Sequence, residues 1–309
     1  MTGPGQAPPR VRLGLDLGGT KIAGVALAPG GEVRAERRSP APRGDYAATI
    51  AALAGMVEAL EQAAGEPGSI GIGMPGSLSP ATGLVQNANS TWLNGRPLGR
   101  DLEAGLGRPV RLANDANCFA LSETVDGAGA GARSVFGVIL GTGCGGGLVF
   151  EGRLIDGPRG IGGEWGHNPL PWAEADELPG PACWCGRRGC IETWVSGPGL
   201  EADHAHAAGE RLSAGAIARR AAAGDPAARA SLERHASRLA RGLAAVVNIF
   251  DPEVVVLGGG LSNLAHLYAV LPALVGTHVF ADRAAAGLVV RPPRWGDASG
   301  VRGAARLWG

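Results

Sequence analysis

Two periodicities alternate along the chain. Residues 11–27 read Val-Arg-Leu-Gly-Leu-Asp-Leu-Gly-Gly-Thr-Lys-Ile-Ala-Gly-Val-Ala-Leu. An apolar strand, a Gly18-Gly19 turn and a second apolar strand predict a hairpin. Residues 136–150 repeat the design around Gly141-Thr142-Gly143. Two such units half a chain apart suggest two related lobes. Between and after them the period changes. Ile50, Leu53, Val57 and Leu60 place a helix over 46–64. Short apolar runs at 69–74, 110–113 and 253–257 read as strands. They end respectively on Pro75-Gly76, Asn114-Asp115 and Gly258-Gly259-Gly260. A helix follows Asn114-Asp115 to about residue 125, and a longer one spans 225–250. Asp225 is set to cap that longer helix, with Pro226 in its first turn. A terminal helix is expected over 300–308. Strands alternating with helices give an α/β protein.

Length fits this picture: 309 residues and 31.1 kDa hold about two domains. A formal net charge of +0 gives no attraction to nucleic acid or membrane. No apolar run approaches the roughly 18 residues of a membrane span. Residues 1–10 are Gly- and Pro-rich, lack a signal-peptide core and are expected to fray, and the cytoplasm is the expected compartment. Lys21 is the only lysine among 28 basic residues, and it sits in the first glycine turn.

The turns carry candidate chemistry. Asp16, Gly18, Gly19, Thr20 and Lys21 put a carboxylate, open amides, a hydroxyl and a cation in one loop. Asp16 is placed to hold Mg²⁺ through water, and Thr20 and Lys21 to meet phosphate. A plain hairpin turn is the alternative. Thr142 and Gly143 offer a second turn, so that two hairpins can grip one polyphosphate. Gly258, Gly259 and Gly260 lie beyond a strand's carboxyl end, where a flat ring such as adenine can rest on bare backbone; a helix-entry turn reads equally well. Asp115 can accept a hydroxyl proton during attack on phosphorus, while an N-cap is the commoner use of Asn114 and Asp115. Gly76, Ser77 and Asn89 supply polar groups for a polyol. Trp92 is either its apolar wall or a loop anchor.

Residues 164–192 hold the densest cluster. His167 precedes Cys183, Cys185 and Cys190, three of the chain's five cysteines. One imidazole and three thiolates suit a closed structural zinc site. Gly186 and Gly189 permit the tight turn that the knuckle needs. A disulfide with a free thiol, or small buried hydrophobes, are the alternatives; an odd cysteine count argues against a disulfide framework. Cys118 and Cys144 read as space-fillers, and Arg187 and Arg188 as solvated surface.

Together these segments resemble the bacterial sugar-kinase branch of the ROK family. The carriers are the Asp16–Thr20 loop, Asn114-Asp115, Gly141-Thr142-Gly143, Glu164-x-x-His167 and Cys183-x-Cys185-x4-Cys190-x-Glu192. The resemblance implies an actin-like, ribonuclease-H-like ATPase fold with two lobes around a central cleft and a small zinc loop. The lobes are expected at 11–118, rejoined by the terminal helix near 297–309, and at 119–296, with the zinc loop at 164–192. It implies ATP-dependent hexose phosphorylation with Mg²⁺, and Asp115 as base. Asn114, Asp115, Glu164, His167 and Glu192 would contact hydroxyls. Zinc would bind His167, Cys183, Cys185 and Cys190, and a homodimer is the family expectation. Residues 87–95 and 166–172 look most like the manno(fructo)kinase type, so fructose, giving fructose 6-phosphate, is the expected substrate. Glucose, mannose and N-acetylglucosamine remain alternatives. A sugar-responsive repressor or non-catalytic sensor is a further one, although ten residues before the first strand leave no room for a DNA-reading helix-turn-helix.

Overall fold

A computed structural model describes residues 11–282 and 287–309; the tail expected to fray, residues 1–10, lies outside them. The chain divides into two compact units. One holds the residues up to Ser122 with Asp156–Gly162 and Asp297–Gly309, and the other holds Glu123–Ile155 and Gly163–Gly296.

The first unit is built on β1 (Val11–Leu17), β2 (Lys21–Leu27), β3 (Val33–Pro40), β4 (Gly68–Met74) and β7 (Val110–Asn114). A small hairpin of β5 (Ser77–Leu78) and β6 (Val85–Gln86) leaves its end. The expected hairpin forms between β1 and β2, pairing Arg12 with Leu27 and Leu17 with Ile22. β4 and β7 then add in parallel, giving the order β3-β2-β1-β4-β7. Val11, Leu13, Leu15 and Leu17 line one buried face of β1, and on the other face Gly14 is buried between half-buried Arg12 and Asp16.

Helix α1 (Tyr46–Ala64) packs Leu53, Met56, Val57 and Leu60 into this unit's core. The Asp45 side chain caps it by accepting from the Ala48 amide at 2.9 Å. α2 is Leu98–Leu106, and α3 (Asp115–Val125) starts directly at the end of β7.

The C-terminal helix, Ser299–Ala305, packs Val301 and Ala305 on Val25 and Leu27 and comes close enough to the sheet that Gly14 and Gly71 have no room for a side chain. A Cβ at Gly14 would collide with the Val301 carbonyl, and one at Gly303 with the Cys118 carbonyl. The helix expected to Trp308 stops at Ala305, and Trp308 turns its indole to donate to the Ile70 carbonyl at 2.7 Å.

The second unit repeats this plan. β8 (Ser134–Leu140) and β9 (Cys144–Phe150) form the second hairpin, with β10 (Arg153–Leu154), β11 (Val254–Gly258) and β12 (Val290–Arg291) in the order β10-β9-β8-β11-β12. In both sheets the third, second, first, fourth and fifth strands stand side by side, antiparallel then parallel. The repeat read from two glycine turns is thus a repeat of whole sheets, and the chain has the actin-like ATPase fold. Helices α4 (Glu192–Val195), α5 (Gly197–Ala208), α6 (Ala214–Ala222), α7 (Pro226–Phe250) and α8 (Ala265–Gly276) complete the unit. α7 starts as predicted: Asp225 accepts from the Ala227 and Ala228 amides and Pro226 opens the helix. Leu239 and Leu243 of α7 share a core with Phe136, Trp165, Leu257 and Leu267. Among the described residues no helix is long and apolar enough to cross a membrane.

The glycine contact under the C-terminal helix is testable. Gly303→Ala should lower stability by about 1–3 kcal/mol, read as an earlier midpoint in urea unfolding. An unchanged midpoint would contradict the close approach.

Candidate active site and metal centre

In the first unit the parallel strands bring two carboxyl groups to one edge. Asp16 sits near the end of β1, in register with Gly73 of β4, which in turn pairs with Ala113 of β7. Asp115 follows two residues later as the first residue of α3. Gly73 lies between them and Cys118: a Cβ there would stand 3.6 Å from Asp16 Oδ1 and 3.3 Å from Cys118 Sγ, a snug contact. Desolvation and then the neighbouring Asp115 charge raise the Asp16 pKa to about 6, with Lys21 pulling the other way.

Desolvation also raises the Asp115 pKa, against hydrogen bonds from the Ala116 and Asp115 amides and the Asn114 side chain. Asp115 keeps an accessible face, so the crowding comes from its other sides and water tempers the shift. The Ala116 amide donates to both Asn114 Oδ1 at 2.9 Å and Asp115 Oδ1 at 2.8 Å, and Asn114 Nδ2 donates to the Gly76 carbonyl at 3.1 Å.

Cys118 is buried behind this pair, a space-filler whose thiol burial pushes upward. Ser77 is buried and accepts from Gln86 Nε2 at 3.1 Å, while Asn89 is exposed. Gly19, Thr20 and Lys21 are exposed at the hairpin turn, which the Gly18 amide closes on the Lys21 carbonyl at 3.0 Å. Arg43 Nε steadies the turn on the Gly19 carbonyl at 3.0 Å.

In the second unit, Thr142 is exposed at the tip of the second turn, with Gly143 behind it. The Gly141 carbonyl accepts from the Gly197 amide at 2.8 Å, tying the turn to the start of α5. Glu192 closes against the same turn: its Oε2 accepts from the Cys144 amide at 2.9 Å. The glycines after Cys144 have a packing task that their spacing did not disclose. A Cβ on Gly146 would lie 2.7 Å from Trp165, whose indole donates to the Gly145 carbonyl at 3.2 Å. The 3-10 turn of Trp165–His167, with half-buried Glu164 at its entry, thereby rests on β9.

The third glycine motif divides in two. Gly259 has a φ of 77° and its missing Cβ makes way for the Leu140 backbone, whereas Gly260 faces open space. Past it lies an apolar cavity of about 650 Å³, lined by Ala218, Ala221, Leu232, Leu264, His266 and Val270.

His167, Cys183, Cys185 and Cys190 converge, their ligand atoms all within 4.8 Å of one another. Cys183 Sγ is 3.6 Å from His167 Nδ1, and Cys185 Sγ is 3.6 Å from Cys190 Sγ. A tetrahedral site with Zn–S bonds of about 2.3 Å needs ligand separations of roughly 3.5–3.8 Å, so the donor set fits. All five cysteines are free thiols. The knuckle closes through the Cys183 amide on the Arg187 carbonyl at 2.8 Å and the Gly186 amide on the Cys183 carbonyl at 3.0 Å. Gly186 and Gly189 both have positive φ, 87° and 67°, as the knuckle reading required. Arg187 and Arg188 are exposed.

Sequence reading missed what carries this loop. Glu177, on the same excursion, is buried against α7. Its Oε1 accepts from Arg238 Nε at 2.8 Å and its carboxylate takes a two-point contact from Arg241 at 2.6 and 2.7 Å. Arg238 also meets Asp203 at 2.6 Å, with its guanidinium 4.4 Å from the centre of the Trp194 ring. No periodic signal marked them: Arg238 and Arg241 lie off the stripe of Leu232, Leu239, Leu243 and Val246 on α7, where a charged side chain reads as solvated. Desolvation works to raise the Glu177 pKa, but hydrogen bonds from Arg241 and Arg238 outweigh it and lower it to about 2.

The doubled ribonuclease-H-like sheet defines the class of the protein, the actin-like ATPase fold. The ROK family profile matches residues 12–309, and the chain belongs to this family, as one of its ATP-dependent sugar kinases. It is 39% identical over 303 residues to an N-acetyl-D-glucosamine kinase of Pasteurella multocida (strain Pm70), covering 96% of this chain and 99% of that one. With the N-acetyl-D-glucosamine kinase of Shigella boydii serotype 4 (strain Sb227) it shares 43% over 305 residues, covering 95% and 98%. Among solved structures it is similar to a ROK hexokinase from Thermus thermophilus, with a TM-score of 0.84 and 37% identity over 96% of each chain.

The Glu177 network predicts a pH signature. A folded pKa of about 2, below the ordinary 4.5, stabilises the fold fully above the unfolded pKa and loses that contribution as pH falls through the folded one. Glu177→Gln should therefore destabilise by about 3 kcal/mol or more near neutrality, with the gap to wild type closing as pH falls from about 5 towards 2. A pH-independent gap in chemical denaturation would contradict the ion-pair account.

Proposed function

We propose that this kinase transfers the γ-phosphoryl group of ATP to a hydroxyl of N-acetyl-D-glucosamine. The observation that carries the sugar is the match of kinases named for it across 95–96% of the chain at 39–43% identity. This replaces the expectation of fructose, which rested on residues 87–95 and 166–172. Several side chains of those stretches have structural contacts instead. Asn94 Oδ1 accepts from the Ala88 amide and its Nδ2 donates to the Ala88 carbonyl, both at 2.9 Å. Trp92 packs on the first unit's core, and Trp172 stacks on His278 at 5.0 Å. A motif spent on its own loop says little about a sugar.

In this reading Asp115 is the general base. The acceptor hydroxyl attacks the γ-phosphorus, its proton passes to Asp115, and ADP leaves. A carboxyl with a raised pKa holds that proton better in the transition state than an ordinary one. Asn114 fixes the start of α3 and Gly76, so Asp115 is presented from a rigid strand end. The exposed hairpin amides with Thr20, Lys21 and Thr142 are the phosphate partners. We read the apolar cavity, whose lining begins at Asn263 just past Gly258, Gly259 and Gly260, as the place for the adenine ring. Asp16 would hold a water-coordinated Mg²⁺, which when bound neutralises phosphate charge. The hydroxyl partners in this reading are Asn114, Asp115, Glu164, His167 and Glu192, together with Gly76, Ser77 and Asn89. Zinc, when bound by the Cys₃His set, supplies a rigid knuckle. Because His167 turns Nδ1 to the thiols, its Nε2 keeps the proton and is the donor left for a sugar hydroxyl.

Three outcomes follow. In a coupled ADP-release assay with Mg-ATP, kcat/KM should be highest on N-acetylglucosamine among that sugar, glucose, mannose and fructose; fructose ahead would restore the earlier expectation. Asp115→Asn should lower kcat by roughly 10²–10⁴, and wild-type kcat/KM should fall on the acid side with a midpoint above the ordinary carboxyl value of 3.8. A variant within tenfold of wild type would remove Asp115 as base. Chelating zinc from enzyme that stays folded should raise the sugar KM, and unchanged kinetics would separate the knuckle from the sugar.

A further inference from the structure

Trp184 stands between Cys183 and Cys185, and no role follows from its place in the knuckle. Its side chain is 59% exposed, so it is not there to fill a core. Its contacts are nevertheless specific. The indole Nε1 donates to Glu192 Oε1 at 2.8 Å. Its ring stands edge-on to the His167 imidazole, with centroids 5.0 Å apart and planes at 87°. Glu192 Oε2 is held at the same time by the Cys144 amide at 2.9 Å. The carboxylate is thus pinned at both oxygens, by the knuckle on one side and the second glycine turn on the other. A Cβ on Gly143 would come within 2.8 Å of Glu192 Oε2, so the carboxylate also packs against that turn.

We propose that Trp184 is a positioning residue for the sugar, setting the carboxylate of Glu192 and the ring plane of His167 together. The inference rests on the reading of those two residues as sugar partners. A carboxylate free to rotate about its terminal bond samples a broad range of orientations. Each of its oxygens has capacity for a second hydrogen bond, and pinning one bond at each oxygen aims the remaining lone pairs. Because the backbone on both sides of Trp184 carries thiol ligands, the indole inherits the rigidity of the knuckle. That gives a route from metal occupancy to sugar affinity, since a loosened knuckle releases Trp184, and with it Glu192 and His167. In this reading ATP meets Thr142, and Trp184 bears only on Glu192 and His167, so the effect is expected on the sugar and not on the nucleotide.

The test is Trp184→Phe, which keeps an aromatic ring beside His167 and deletes the N–H. Sugar and ATP KM, kcat, sugar Kd by calorimetry, bound zinc per chain and thermal midpoint are measured on the full chain. Loss of one hydrogen bond to a charged group predicts a roughly tenfold rise in sugar KM and Kd. The ATP KM, zinc content and thermal midpoint should stay as in wild type. In Glu192→Gln the same Phe substitution should add little, because the bond it deletes is already weakened. A sugar Kd unchanged by Trp184→Phe, or full additivity with Glu192→Gln, overturns the proposal. A drop in zinc content that accounts for the whole effect also overturns it, making Trp184 a structural part of the knuckle. Wild type that binds sugar without phosphorylating it would refute the kinase reading, and the Kd comparison would still decide the role of Trp184. Wild type that neither binds nor turns over any of the four sugars would overturn both.

Discussion

Two carboxyl groups of like charge, Asp16 and Asp115, are held close together at one edge of a parallel sheet, and the first unit is organised around making that possible. Isolated in water, they would separate. Here β1, β4 and β7 run in parallel, so their carboxyl ends share an edge. The sheet can hold them because it is rigid. Its first strand is buried on both faces, under α1 on one side and the C-terminal helix on the other, the latter in backbone contact with the sheet at Gly14 and Gly71. The electrostatic consequence is that Asp16 titrates near 6 and Asp115 above its ordinary value. A site strained in this way favours whatever relieves it: a cation beside Asp16, or a proton arriving at Asp115.

The second unit solves a different problem, that of making an irregular loop rigid. Residues 164–192 have little regular structure, yet they carry the residues read as sugar partners. Three anchors fix them. The Trp165–His167 turn lies on the glycines of β9. Glu177 is locked to Arg238 and Arg241 of α7. The Cys₃His cluster closes the tip. Glu192 then links the tip back to the turn at Gly143-Cys144. Order in this loop comes from buried charge and ligand geometry, where a core would need more apolar side chains than the loop contains.

Much of this was legible in the sequence because it follows from local chemistry. Strand–glycine–strand patterns declare hairpins, Asp225-Pro226 declares a helix start, and the spacing of Cys183, Cys185 and Cys190 declares a tetrahedral set. The sheet repeat was visible only through its two turns. What stayed hidden depends on contacts distant in sequence. Arg238 and Arg241 look like surface residues until Glu177 is folded onto them. Gly146 looks like part of a phosphate turn until Trp165 is seen against it. The sugar was the least legible part for a related reason: Asn94 and Trp92 form a recognisable signature, but Asn94 bonds within its own loop and Trp92 packs on the first unit's core. Selectivity among hexoses rests on small differences in hydroxyl placement, and residue spacing does not encode them.

The most direct test of the account is to identify the product. Enzyme, Mg-ATP and N-acetylglucosamine would be followed by phosphorus NMR, with Asp115→Asn alongside. The account predicts one new phosphate-ester signal on the sugar for each ADP formed, and its near absence in the variant. ADP released with inorganic phosphate and no sugar ester, or equal ester formation by the variant, would contradict it.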